Sequence, residues 1–160
     1  MEHVDVSTIE PDGMGEDLDR RGLTGALGTT DLAANYYALD PGEAFSGGLH
    51  AHLDQEEVFY VFEGTATFEH APEATAETET TAVGPGGAIR FAPGEFQQGR
   101  NEGDERVVAL ALGAPAESTE VRVPEACHEC GDSEVLAFVA GEDGPLLECP
   151  ECGTQVDPNG

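Results

Sequence analysis

Lysine is absent from this 160-residue chain, and its six basic residues are all arginines. Against 33 Asp and Glu they leave a formal net charge of −27 at pH 7. Nucleic acids and anionic membranes are held by basic patches that neutralise phosphates, so neither is an expected partner. No stretch approaches the roughly 18 consecutive apolar residues of a membrane-spanning helix. The opening residues MEHVDVSTIEPDGMGEDLD carry acids, glycines and a proline, where an export signal needs a basic start and an apolar run. A helical period is missing too: nowhere do apolar residues recur at i, i+3, i+4 and i+7 over about 11 positions. These absences predict a soluble, cytoplasmic protein built from strands.

The acidic excess has a physical cost. Self-repulsion at −27 opposes a compact fold in dilute buffer, whereas molar salt shrinks the Debye length to about 3 Å and screens most of it. The composition resembles that of cytosolic proteins from salt-accumulating halophiles, which speaks to the solvent and not to the reaction. With 39% hydrophobic residues the chain can still bury a core. Its length suits one ordinary domain with a small appendage.

What is present is a series of short apolar segments divided by glycine and proline turns. They are LAANYYAL (Leu32 to Leu39), EVFYVF (Glu57 to Phe62), ATFEH (Ala66 to His70), TTAV (Thr80 to Val83), AIRFA (Ala88 to Ala92) and VVALAL (Val107 to Leu112). Strands of this length and spacing predict an all-β antiparallel sandwich or barrel. Residues 1–25, polar and aperiodic, read as an acidic N-terminal arm. The barrel is expected over 26–114, a linker over 115–125, where the composition changes, and a cysteine module over 126–157. The acidic stretch PEATAETET (Pro72 to Thr80) reads as an exposed hairpin loop.

The first candidate site lies in HAHLDQEEVFYVFEG, His50 to Gly64. Residues two apart on a strand face the same way, so His50 and His52 can aim both imidazoles at one point. A carboxylate returning from the LDQE turn, Glu56 or Glu57, would complete the donor set of non-haem Fe(II) and related divalent sites. A lone histidine would read as a surface residue; the pair with a nearby acid predicts a metal. Strand parity leaves the two glutamates open. Glu57 shares a face with Phe59 and Val61, and Glu56 with Val58, Tyr60 and Phe62, so both faces are apolar. Such a strand needs cover on both sides, and a homodimer would supply the second.

These residues resemble the first motif of the cupin superfamily: G, five residues, HxH, three or four residues, E, six residues, G. Four residues separate His52 from Glu57 and six more lead to Gly64, so the resemblance selects Glu57. The leading glycine is offset, because Gly47 and Gly48 stand too close to His50. GAIRFAPGEFQQGRN resembles the second motif, with Gly87, Pro93, Gly94 and Asn101 in or near the family positions. Where the family has its fourth ligand, a histidine, this chain has Gln97.

The resemblance covers roughly Asp31 to Leu112, with only 22 residues, Thr65 to Gly86, between the motifs. It implies a double-stranded β-helix, a conical barrel with a divalent metal (Fe, Mn or Zn) in its lumen on His50, His52 and Glu57. Gln97 would be a weaker oxygen donor or a residue that positions water or substrate. The implied activity is that of a small-molecule dioxygenase, isomerase or decarboxylase; the alternative is a non-catalytic small-molecule or metal-sensing module. Arg90, Phe59 and Tyr36 are the candidate substrate contacts. A lumen arginine would grip a carboxylate with two N–H groups, although an arginine among so many acids ordinarily pairs with one of them, and the aromatics serve equally as core.

The chain's only cysteines form two knuckles, CHECG (Cys127 to Gly131) and CPECG (Cys149 to Gly153). Four thiolates from two such turns give the tetrahedral site that zinc prefers. With EVLAFVA, a GEDGP turn and LLE between them, the segment resembles a zinc ribbon. Iron in a rubredoxin-like site is the alternative ion, and His128 a spare ligand. A module of about 35 residues has too little core to fold without such a staple, so the zinc is expected to be structural. No Lys or Arg follows Arg122, which favours a protein partner for this module over a nucleic acid.

Overall fold

The computed structural model describes residues 1–12, 18–141 and 144–157. Residues 13–17 of the expected arm, and Glu142 and Asp143 of the GEDGP turn, lie outside the described residues. The strands in chain order are β1 (Asp19–Gly22), β2 (Ala33–Leu39), β3 (Ala51–His52), β4 (Glu56–Glu63), β5 (Ala66–Ala71), β6 (Glu79–Val83) and β7 (Ala88–Phe91). They continue as β8 (Phe96–Arg100), β9 (Val107–Ala114), β10 (Val121–Val123), β11 (Leu136–Ala140), β12 (Pro145–Glu148) and β13 (Gln155–Val156). A four-residue helix, Thr24–Leu27, follows β1. Among the described residues no helix is long and apolar enough to cross a membrane.

The strands form three antiparallel sheets, ordered β1-β2-β9-β4-β7, β6-β5-β8 and β13-β12-β11-β10-β3. The first two enclose an apolar core to which Tyr37, Leu39, Phe59, Val61, Phe91 and Val107 contribute from one side, and Ala66, Phe68 and Val83 from the other. Phe45, from the loop after β2, stacks on Phe68 with ring centroids 5.7 Å apart and tilts against Phe59 at 5.1 Å. Each such aromatic contributes roughly 1.5–3 kcal/mol by leaving water. Gly99 on β8 is what lets these rings close up: a Cβ there would sit 2.5 Å from Phe68 and 2.6 Å from Phe45.

Strand alternation sets which side chains look inward. On β4 Phe59 and Val61 are buried, while Tyr60 and Phe62 remain 39% and 49% exposed. β9 alternates likewise, with small Ala109, Ala111 and Gly113 inside and Val108, Leu110 and Leu112 half-buried outside. The outer face of the first sheet is therefore apolar, with Tyr60 and Phe62 in edge contact at 4.9 Å.

Two segments hold more structure than the sequence suggests. The end of the arm is strand β1, paired with β2, and it is fixed by charge. Arg20 binds Asp12 and Asn35, each at 2.8 Å, while Arg21 grips both Asp19 oxygens. The expected linker contains β10, which pairs on one edge with β11 of the cysteine module and on the other with β3. The sheet of the cysteine module thus runs unbroken into the strand that carries His52.

Candidate metal centre

All three sheets meet at one point. β4 of the first supplies Glu57, β8 of the second supplies Gln97, and β3 of the third supplies His52. His50, one step before β3, bridges Gln97 with two backbone hydrogen bonds, of 3.1 and 2.8 Å. One donor atom each from His50, His52 and Glu57 falls within 4.8 Å of the others.

Packing resolves the glutamates. Glu57 shares the inward face with buried Phe59 and Val61, whereas Glu56 points out and accepts a 2.6 Å bond from Arg90 Nε. The same alternation corrects the expectation for two of the substrate contacts. Arg90 stands on the outer side of β7, opposite Val58, 55% exposed. Tyr36 stands in an outer row with Leu110 and Tyr60. Phe59 does point inward, but into the aromatic core.

Hydrogen bonding fixes both imidazoles. His50 Nδ1 lies 2.9 Å from the Gly48 carbonyl, which can only accept, so Nδ1 carries the proton and Nε2 keeps its lone pair. His52 Nδ1 lies 2.8 Å from Ser118 Oγ. The Ser118 hydroxyl donates its one proton to Asp54 Oδ1 at 2.6 Å, so it must accept from His52, leaving Nε2 bare here too. That Nε2 faces Glu57 Oε2 at 3.6 Å. Two unprotonated ring nitrogens beside a carboxyl group are ligands in waiting.

Burial acts on the charges in the same sense. It lowers the pKa of both histidines, His52 to about 4 with help from His50, and raises Glu57 to about 7 against the bond from Gln97. A buried trio that resists carrying net charge alone is one that a cation stabilises.

Gln97, 3% exposed, donates from Nε2 to Glu57 Oε2 at 2.7 Å and lies 3.4 Å from His50 Nε2, while its buried Oε1 has no hydrogen-bond partner. The donor set and the orphaned amide oxygen both fit a divalent cation. The adjoining shallow recess is partly open to solvent and is lined by His52, Gln55, Glu57, Phe91, Ala92, Glu95 and Gln97. Ser118, Asp54, Gln55 and Glu95 escaped the sequence reading. The bond partners of Asp54 lie 64 or more residues away, and no local pattern announces such a pair.

At the other end of the chain the four cysteine sulfurs also converge within 4.8 Å. Cys127 to Cys152 and Cys130 to Cys149 are both 3.7 Å, against about 3.8 Å for the edge of a tetrahedron with Zn–S bonds of about 2.3 Å. The cluster is compatible with a zinc ribbon. His128 is exposed and outside it.

A family model described as "Cupin domain" matches residues 35–113. The chain belongs to the cupin superfamily. This cupin resembles a solved sugar phosphate isomerase from a cupin superfamily, from Silicibacter pomeroyi DSS-3, at 17% identity and TM-score 0.70 over 98% of each chain. A conserved protein with a double-stranded beta-helix domain, from Klebsiella pneumoniae, matches at 19% identity and TM-score 0.55, over 72% of this chain and 86% of its own. Oxalate decarboxylase of Lactobacillus farciminis matches at 18% and 0.58, over 70% of this chain and 32% of its own. Likeness at these identities speaks for the fold. Among curated proteins, none matches the chain.

Proposed function

We propose that this cupin binds a divalent cation on His50, His52 and Glu57 and acts with it on a small oxygen-rich molecule, as an isomerase or decarboxylase. The observation that carries the reading is the convergence of two Nε2 lone pairs and one half-buried carboxyl group within 4.8 Å. Nitrogen and carboxylate donors suit Fe(II), Mn(II) or Zn(II). When bound, the cation polarises carbonyl or carboxylate oxygens of the substrate as a Lewis acid.

The remaining chemistry belongs to the chain. Gln97 steadies Glu57, and its unpartnered Oε1 is the atom a cation attracts. Glu95 lines the recess without joining the ligand cluster. One of its oxygens accepts the Ala92 N–H at 2.6 Å, which holds the group in place. In an isomerisation of a hydroxy-carbonyl the Glu95 carboxylate removes the proton from the hydroxyl-bearing carbon and returns it to the carbonyl carbon, while the hydroxyl proton passes to the former carbonyl oxygen.

Among the described residues no arginine lines the recess. The cation is then the positive charge an anionic group meets there, which favours an unphosphorylated hydroxy-carbonyl or a singly charged carboxylate over a dianionic phosphate. Screening such compounds beside their phosphates, with the metal-loaded protein in molar salt, tests this. Turnover that survives metal removal, or Glu95→Gln at unchanged kcat, overturns it.

The second reading, a metal- or ligand-sensing module, is favoured by the Ser118 contact to His52, which ties the site to the cysteine module. In either case we read the cysteine site as structural zinc, which reduced thiols in a cytoplasmic compartment would hold. We read the outer face of Val58, Tyr60 and Phe62 as the seat of a homodimer. The ribbon face bearing exposed Phe138 and Val156 is the corresponding site for a protein partner.

A further inference from the structure

The two imidazoles are held in different ways. His50 is oriented locally, by a carbonyl two residues back. His52 is oriented from 66 residues away, by the hydroxyl of Ser118. Ser118 in turn is seated by Asp54, whose Oδ1 takes the serine proton. Asp54 Oδ2 gathers the Thr119 N–H, the Thr119 hydroxyl and the Glu120 N–H at 2.8, 3.2 and 3.3 Å. Leu53 N–H adds a bond to Glu120 O at 2.8 Å.

What keeps this loop on the barrel is the strand that follows it. β10 sets Val121 opposite His52 and Arg122 opposite Ala51. Its other edge pairs Arg122 with Ala137 and Val123 with Leu136. Leu136 belongs to the small core of the ribbon, with Cys127, Leu147 and Cys149, and Val123 packs against it. That core has two leucines and two buried thiols, with Val123 and Cys130 packed against it, too little to persist without its ion. An unbroken path of hydrogen bonds and packing thus runs from the cysteine cluster through β11, β10 and Ser118 to His52 Nδ1.

We propose that Ser118, seated by Asp54, is the positioning residue for His52, and that the cysteine module, by holding β10, sets how tightly the barrel site binds its metal. This rests on the barrel metal site proposed above. Fixing the outer nitrogen of a histidine fixes its tautomer and ring angle, and losing such a partner weakens metal binding about 10- to 100-fold. The segment between barrel and ribbon supplies that partner, and β10 ties this segment to the ribbon, so loss of the ribbon's zinc lowers the affinity of a site the ribbon does not touch.

The test uses Mn²⁺, a hard ion that thiolates do not favour, counted by the EPR signal of the unbound ion in molar salt. Full-length protein with zinc in the ribbon is compared with Ser118→Ala, Ser118→Thr, Asp54→Asn and Cys149→Ser. Ser118→Ala and Cys149→Ser should each weaken Mn²⁺ binding at least about tenfold. Ser118→Thr, which keeps the hydroxyl, should restore it, and that rescue separates positioning from general damage. Because both act through one contact, the double variant Ser118→Ala/Cys149→Ser should bind no more weakly than the weaker single variant.

If Cys149→Ser does not fold, zinc removal by chelator followed by a Mn²⁺ titration supplies the same arm. Mn²⁺ binding unchanged in Ser118→Ala overturns the coupling while the metal site stands. Wild-type protein that binds no Mn²⁺, or binds it equally after His50→Ala, overturns the metal site and the coupling with it.

Discussion

Gln97 Nε2 donates to Glu57 Oε2 across 2.7 Å, so the residue at the family's fourth ligand position grips the carboxylate of the third. The amide oxygen on the other side of that bond is buried and unpaired. An imidazole in the same place would bring a nitrogen donor instead of an amide. Gln97→His is expected to raise divalent-metal affinity about tenfold, the low end of what a neighbour of a ligand contributes. Competition against a chelator measures it, and unchanged affinity would mean residue 97 only walls the site.

The proton on Glu57 makes metal binding depend on pH. Burial raises this carboxyl to about 7, whereas His52 is held near 4 and His50 is lowered too. Below about pH 7 an arriving cation must displace the Glu57 proton, while His52 is already neutral and burial disfavours a proton on His50. Apparent affinity should therefore fall about tenfold per unit as pH drops from about 7 to about 5, and level off above about 8. Mn²⁺ titrations across this range check the slope, and in the reference variant Glu57→Gln the slope should vanish.

The ribbon should come apart separately from the barrel. Its core is Cys127, Leu136, Leu147 and Cys149, whereas the barrel keeps Phe45, Phe59, Phe68 and Phe91 together whatever the cysteines hold. Stripping the cysteine site with a chelator should remove hydrogen-exchange protection from β11 and β12, weaken it in β10, and leave β4 and β9 unchanged. Loss of protection throughout would mean that one cooperative unit includes the barrel.

The outer face of the first sheet predicts self-association. Phe62 is the more exposed of its paired rings, and Phe62→Glu would add a charge at the centre of the apolar face. Sedimentation velocity in molar salt should find a dimer for the wild type and a monomer for the variant. Two chains at −27 each repel, so the wild-type dimer should also dissociate as salt is lowered. A monomer at every salt concentration would leave this face for another occupant.

The barrel was legible because its cause is local. Alternation in VVALAL and EVFYVF and the turns between the strands announce an antiparallel β fold, and the HxH pair announces two members of the cluster with Glu57. Glu57 over Glu56 was not decidable from parity, since both faces of β4 are apolar; the packing of Phe59 and Val61 against Phe45 and Phe68 decides it. The side on which Arg90 and Tyr36 stand was open for the same reason, because one register step moves a side chain to the other face, and Arg90 takes the ion pair with an acid that the composition favoured. Ser118 was invisible, hidden in a stretch whose composition reads as a connector. Its partners His52 and Asp54 meet it only once β10 has paired with β3.

The most direct test of the account is the number of ions held by purified protein in molar salt, by elemental analysis of wild type and His50→Ala after exposure to Mn²⁺ and Zn²⁺. The account predicts two per chain in the wild type and one in His50→Ala, the remaining ion being the zinc of the cysteines. An unchanged count after His50→Ala would contradict it.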